Sequence, residues 1–142
     1  MTSDTSSVLL AAPHHGLAEG IRSLLETAFD AVIMVADMRS LCESAQRLEP
    51  RLAVVDMALA AGDVHGMTDR LRCCCPGLKL ILLSVYDDPA IVRLAMEAGA
   101  EGIVAKSRIA THLLTAVDAV LRGESHFPGE RKHLINNSVA DS

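Results

Sequence analysis

Residues 78–106 read LKLILLSVYDDPAIVRLAMEAGAEGIVAK. The first eight, 78–85, are almost all apolar, which is typical of a strand that is buried on both faces of a sheet. The acidic pair and proline at 87–89 predict the start of a helix, whose apolar positions recur at helical spacing until Gly99. A short apolar run, 102–106, predicts a second strand. The stretch is therefore a strand–helix–strand unit, which is the building block of a parallel sheet.

The same alternation extends to the rest of the chain. Further apolar, strand-like runs lie at 8–12, 31–36 and 52–56. Helical spacing marks 17–29, 40–48, a segment that ends at Arg72, and 109–122. Five strands and five helices in strict alternation predict an α/β fold, a doubly wound parallel sheet with helices on both faces.

The chain is long enough for one domain. It has 142 residues, and 50% of them are hydrophobic, which suffices for a core of ordinary size. We expect this domain to span 8–124, after a disordered N-terminus at 1–7. The segment 125–142 has no periodicity and is too short for a second domain, so we interpret it as an irregular, frayed tail.

Charge and cysteine content exclude several classes of partner and site. The net charge is −5 and the basic residues are scattered, so neither nucleic acid nor anionic lipid is an expected partner. We expect neither a signal peptide nor a membrane span, because residues 1–7 are polar and acidic and no apolar run reaches roughly 18 residues. Cys42 and the run 73–75 lack the spacing of a zinc site or a disulfide framework. We therefore expect a cytoplasmic protein that binds other proteins or small ligands.

Three polar residues stand where strands end. Asp56, Ser84 and Lys106 close the predicted third, fourth and fifth strands. The carboxyl ends of parallel strands meet at one edge of the sheet, where ligands bind, so the three side chains should converge. Taken singly, an aspartate at a strand end is more often a turn residue and a lysine more often a solvated charge. Their placement on consecutive strands favours a functional site.

These segments resemble a known family. Three of them resemble the characteristic segments of the response-regulator receiver domain, and two others resemble the first and last helices of its NarL/FixJ branch. The five segments are RLAVVDM (51–57), LKLILLSVYDDP (78–89), AMEAGAEGIVAKS (95–107), EGIRSLLE (19–26) and AVDAVLRGE (116–124). The resemblance covers about Val8 to Glu124 and implies a flavodoxin-like receiver architecture with strand order 2-1-3-4-5.

The resemblance implies roles for the three polar residues. Asp56 stands where the family accepts a phosphoryl group from a histidine kinase or a phosphotransfer protein. Ser84 stands where a hydroxyl holds one phosphoryl oxygen, and Lys106 where a lysine pairs with another. No conventional enzyme activity is implied beyond self-catalysed phosphorylation and dephosphorylation of the aspartate. A homodimer through the first and fifth helices, or through the fourth helix and fifth strand, is a further expectation.

The chain departs from the family pattern at several positions. Ala12 and Pro13 stand where the family has two acids that help bind magnesium, so Asp56 alone should hold Mg²⁺ only weakly. Ile103 replaces the usual aromatic switch residue, and the loop 57–66 lacks the usual proline. Two functions stay open: a phosphoacceptor in a two-component phosphorelay, and a pseudo-receiver that acts as a protein-interaction or dimerisation module without phosphorylation.

Other motifs carry weaker hypotheses. His14 and His15 could join Asp56 in a zinc or nickel site, although adjacent histidines on a turn rarely face one ion. Tyr86 is interpreted as a half-exposed loop tyrosine. At most two of Cys73 to Cys75 should face the core. NarL/FixJ relatives usually carry a helix-turn-helix after the receiver; none is apparent here, so we expect no direct DNA binding.

Overall fold

The computed structural model describes residues 7–86 and 88–128, and its strands form one parallel sheet. The strands are β1 (Ser7–Ala11), β2 (Ala31–Val35), β3 (Leu52–Asp56), β4 (Lys79–Ser84) and β5 (Gly102–Ala105). Their order across the sheet is β2-β1-β3-β4-β5. This confirms the doubly wound α/β fold and the strand order that the resemblance implied.

Helices cover both faces of the sheet. They are α1 (His15–Leu25), α2 (Met38–Leu48), α3 (Val64–Cys74), α4 (Pro89–Ala98) and α5 (Ile109–Leu121). Two short 3-10 turns, Met57–Ala60 and Lys106–Arg108, follow β3 and β5. Helices α1 and α5 pack on one face, and α2, α3 and α4 pack on the other. No helix in the described part of the chain is both long and apolar enough to cross a bilayer.

The continuous apolar run of β4 is explained by its central position. Leu80 and Leu82 point into the core beneath α2, α3 and α4, whereas Ile81 and Leu83 point into the core beneath α1 and α5. All four side chains are fully buried. Because successive side chains of a strand face opposite sides, a strand covered on both sides must be apolar at every position.

Aspartates begin three of the helices. The carboxylates of Asp37, Asp63 and Asp88 accept hydrogen bonds from the backbone N–H three residues later, at the start of α2, α3 and α4. Such caps satisfy donors that the first helical turn leaves unpaired. Asp88 and Pro89 thus begin α4 as predicted. The irregular loop predicted to reach residue 66 is too long, because the Asp63 cap starts α3 at Val64.

Both predicted termini of the domain need correction. Ser7 was predicted to be disordered but is the first residue of β1; residues 1–6 lie outside the described part of the chain. Within the predicted tail, residues 125–128 are not frayed, since His126 pairs with Gly102 and Phe127 is buried. A single backbone pairing and a single buried aromatic residue leave no periodic pattern in the sequence. The order of residues 125–128 was therefore not predicted. Residues 129–142 are outside the described part.

Candidate functional site

The three predicted site residues lie at one edge of the sheet. Asp56 ends β3, Ser84 ends the adjacent β4, and Lys106 directly follows β5 on the far side of β4. Lys106 was predicted as the last residue of the fifth strand but begins the following 3-10 turn. All three strands run parallel, so their carboxyl ends form a common site.

Asp56 is buried and held on both carboxylate oxygens. Its side chain is only 2% exposed, and Lys106 Nζ lies 2.6 Å from Asp56 Oδ2. This contact is a close ion pair rather than an aligned hydrogen bond. The other oxygen, Oδ1, accepts a hydrogen bond of 2.9 Å from the Ala58 backbone N–H. The lysine is therefore the charged partner of this carboxylate.

The Ala58 contact was not foreseen. Asp56 caps the 3-10 turn Met57–Ala60, which occupies the loop that the sequence left irregular. A short polar side chain that bonds the backbone two residues later is a known turn motif of aspartate. An aspartate at the start of a turn was thus visible in the sequence. Many aspartates with no other role share this position, so it did not single out the Ala58 contact.

The Ser84 hydroxyl acts as an acceptor in its hydrogen bond, so that bond does not use the hydroxyl proton. Its Oγ accepts a 3.1 Å hydrogen bond from the Tyr86 backbone N–H, and the residue is 6% exposed. A hydroxyl can accept one such bond and still donate its own proton elsewhere. Tyr86 is 66% exposed, which agrees with its interpretation as a loop tyrosine.

The described residues do not fit a magnesium ion. Ala11 pairs with Val55 in the register of β1 and β3, so Ala12 is the residue beside Asp56. Neither Ala12 nor Pro13 offers a side-chain oxygen, and both oxygens of Asp56 already have contacts. Mg²⁺ requires several oxygen ligands in near-octahedral geometry, and of these three positions only Asp56 offers it side-chain oxygens.

The zinc or nickel hypothesis finds no support. His14 and His15 are both exposed at the start of α1, whereas Asp56 is buried. Among residues 7–86 and 88–128, no three His, Cys, Asp or Glu side chains form a group that could hold a metal ion.

Ile103, which stands in place of the usual aromatic switch residue, is buried. It is 1% exposed and lies in the core beneath α2, α3 and α4.

The four cysteines are free thiols in different environments. Cys73 is exposed, Cys74 is half-buried, and Cys42 and Cys75 are buried, so one or two of the run face the core as predicted. Burial is the main cause that raises the pKa of the Cys42 thiol, and Cys74 beside it raises the pKa further. Burial also raises the pKa of Cys75, followed by the charge of Glu49.

We expect iodoacetamide to alkylate Cys73 at least about tenfold faster than Cys42 or Cys75 near neutral pH, because the thiolate is the nucleophile and burial disfavours it. Peptide mapping by mass spectrometry after timed quenching gives the rate at each site. In denaturant the four rates should become similar. A native-state rate at Cys42 that equals that of Cys73 would contradict this reading.

The comparisons with known proteins agree with this geometry. The family model described as the response regulator receiver domain matches residues 8–118. The chain therefore belongs to the response regulator receiver domain family, whose members serve two-component systems.

Its relatives include regulators of gene expression. A putative transcriptional regulator of Pseudomonas aeruginosa is 28% identical over 138 residues, which is 96% of this chain and 67% of the relative. The response regulator protein VraR of Staphylococcus aureus is 27% identical over 128 residues, 89% of this chain and 61% of VraR. LnrK of Bacillus subtilis is 27% identical over 114 residues, 79% of this chain and 52% of LnrK. The chain thus spans about half to two thirds of these relatives.

Solved structures give the same fold. The non-phosphorylated receiver domain of RcsB from Escherichia coli has a TM-score of 0.74 at 26% identity, over 87% of this chain and 98% of that one. The isolated receiver domain of RcsB from Salmonella enterica has a TM-score of 0.77 at 26% identity, over 92% of this chain and 98% of that one.

Proposed function

We propose that this receiver domain accepts a phosphoryl group on Asp56, from a histidine kinase or a phosphotransfer protein, and signals through protein contacts. The observation that carries the proposal is the 2.6 Å pair between Lys106 Nζ and Asp56 Oδ2 at the shared end of β3, β4 and β5. It combines a carboxylate nucleophile with a cation that can take up the charge of the incoming group.

The proposed reaction is a direct transfer. The bond between phosphorus and the donor's leaving group breaks as a bond to an Asp56 carboxylate oxygen forms, and the electron pair departs with the leaving group. Lys106 then shifts from the carboxylate to a phosphoryl oxygen, and the Ser84 hydroxyl donates to another. Because Lys106 is the cation that the described residues place in contact with Asp56, the reaction should be slow and should not require Mg²⁺.

Phosphorylation would then act as a switch. Moving Lys106 and Ser84 toward the phosphoryl group changes the loops that follow β4 and β5, including the exposed residues Val85 and Tyr86. A partner that prefers one arrangement of these loops shifts the population toward it.

The test is incubation with acetyl phosphate followed by intact-protein mass spectrometry, with and without Mg²⁺. The wild type should gain one phosphoryl group at the same rate in both conditions, and Asp56→Ala should gain none. Asp63→Ala is the matched control, since it removes an aspartate that only caps α3. Equal gain in Asp56→Ala and the wild type would exclude Asp56 as the acceptor.

A second candidate function is a pseudo-receiver that binds partners without phosphorylation. It is favoured by Ala12 and Pro13, which leave Asp56 with Lys106 and the Ala58 N–H as its contacts. No gain of a phosphoryl group from acetyl phosphate under either condition would support this function and overturn the first. Relatives described as transcriptional regulators support a role in the control of gene expression for either function.

A further inference from the structure

Two cysteine side chains lie beside each other where α2 and α3 pack together. Cys42 is buried on α2, and Cys74, the last residue of α3, is half-buried. Their thiols are close enough to interact, and both side chains pack on the hydrophobic cluster beneath these helices. We name Cys42 and Cys74 the thiol pair. Because α3 ends before β4 begins, Cys74 lies toward the edge of the sheet opposite to the strand end that carries Asp56.

The helix turns that precede the thiol pair face a common cleft. Its lining includes Met38 from α2 and Met67 and Arg70 from α3. Cys42 lies one helical turn after Met38. Cys74 lies one helical turn after Arg70. Both helices run in the same direction, because each connects two strands of the parallel sheet. The thiol pair therefore continues the contact between these two helix faces by one turn.

The surroundings give the two thiols different access to solvent. Burial raises the pKa of the Cys42 thiol, Cys74 raises it further, and the nearby Arg70 guanidinium opposes both effects. Cys42 is thus held mainly as a neutral thiol inside the protein. A small oxidant in solution reaches Cys74 first, because only that member of the pair is partly exposed.

The neighbouring cysteines do not offer the same contact. Successive residues of a helix point about 100° apart, and Cys73 is exposed. Cys75 is buried, but adjacent residues have Cα atoms about 3.8 Å apart, closer than the roughly 4.4–6.8 Å that a disulfide usually spans. Cys42 is therefore the partner that suits Cys74. Because Cys75 is non-helical, the end of α3 can make the small shift that an S–S bond requires.

We propose that the thiol pair is a redox modification site, in which hydrogen peroxide converts Cys42 and Cys74 into a disulfide that joins α2 to α3. The Cys74 thiolate first attacks one peroxide oxygen. An S–O bond forms as the O–O bond breaks, and the electron pair leaves with hydroxide, which takes up a proton to give water. The Cys42 sulfur then attacks the Cys74 sulfur. The S–S bond forms as the S–O bond breaks, and the second oxygen leaves as water with the Cys42 proton.

The test is treatment of the reduced full chain with hydrogen peroxide at low protein concentration, followed by mass spectrometry without reduction. The monomer should lose two hydrogen atoms, and dithiothreitol should restore them. Trypsin should release peptide 40–47 joined to peptide 73–79, and fragmentation of the joined peptides should place the link at Cys74. A wild type that yields only oxygenated thiols, or only disulfide-linked dimers, would overturn the proposal.

Single alanine variants check the assignment of the link. Cys42→Ala and Cys74→Ala should each lose it. Cys73→Ala and Cys75→Ala are the matched controls from the same run of cysteines, and both should keep it. In Cys42→Ala, Cys74 should gain oxygen atoms instead, because its sulfenic acid has lost the thiol that resolves it. A link that persists in Cys74→Ala, or one that disappears in Cys73→Ala, would contradict the pairing of Cys42 with Cys74.

Discussion

Replacing Lys106 by methionine is expected to lower the free energy of unfolding by about 3 kcal/mol. The change removes the ammonium that contacts Asp56 Oδ2 and keeps most of the apolar stem. Asp56 is 2% exposed at its side chain, so its charge would stay buried with only the Ala58 N–H as a partner. Removing one partner of a buried pair is costly because the remaining charge loses its compensation and gains no water.

Replacing Asp56 instead of Lys106 should lower the free energy of unfolding by less. In Asp56→Asn the lysine is left unpaired, but its side chain is 17% exposed and has a flexible stem that can carry the ammonium into water. We expect a loss of about 1 kcal/mol. The double variant should be more stable than Lys106→Met alone, because it no longer buries a charge. A coupling energy of about 0.5–3 kcal/mol is typical of residues in direct contact.

Urea unfolding of the wild type, the two single variants and the double variant completes a double-mutant cycle and gives the coupling energy. Lys79→Met is the matched control, since Lys79 is only partly buried at the start of β4 and should respond within about 0.5 kcal/mol. If Lys106→Met unfolds at the same urea concentration as the wild type, the pair does not stabilise the fold. The carboxylate would then be hydrated in a way that the 2% exposure does not indicate.

The sheet was predictable because burial on both sides leaves a clear trace in sequence. The run from Leu80 to Leu83 has no polar interruption, and the structure buries all four side chains. Asp88, Pro89 and Gly99 likewise mark the ends of α4 through local chemistry, a side-chain cap, a fixed φ and a left-handed residue with φ of 95°. Such signals act over a few residues and so survive in a linear pattern.

Other features depend on contacts between distant residues. The pairing of His126 with Gly102 joins a predicted strand to a segment that shows no periodicity, and only the packed sheet edge brings them together. The site was predictable only in part. The strand ends placed Asp56, Ser84 and Lys106 on one edge of the sheet, but the distance between Asp56 and Lys106 depends on the turn after each strand. The start of α3 was missed although its signal is local, because the Asp63 cap was not recognised in the sequence.

Installing aspartates at positions 12 and 13 is expected to create a magnesium response that the wild type lacks. Position 12 lies beside Asp56 in the register of β1 and β3, so Ala12→Asp adds a second carboxylate next to the first. Pro13→Asp adds a third at the exposed rim. Without metal, the mutual repulsion of carboxylates that face a single lysine should lower the melting temperature of the double variant.

Magnesium should reverse this loss because it binds the folded state alone. At a free concentration of about one hundred times the dissociation constant, a ligand stabilises a fold by about 2.7 kcal/mol. For a chain of this length we expect Mg²⁺ to raise the melting temperature of the double variant by about 5 °C or more and to leave that of the wild type unchanged. Phosphorylation by acetyl phosphate should accelerate in the variant only when Mg²⁺ is present.

The control is Ala12→Asn with Pro13→Asn, which matches the size of the aspartates without their charge. It should show neither the loss of stability nor the response to Mg²⁺, because amide oxygens are weaker ligands for a hard cation than carboxylates. A wild-type melting temperature that rises with Mg²⁺ as much as that of the aspartate variant would show that Asp56 and its surroundings already bind the ion. The absence of acids at positions 12 and 13 would then have no bearing on how this receiver is phosphorylated.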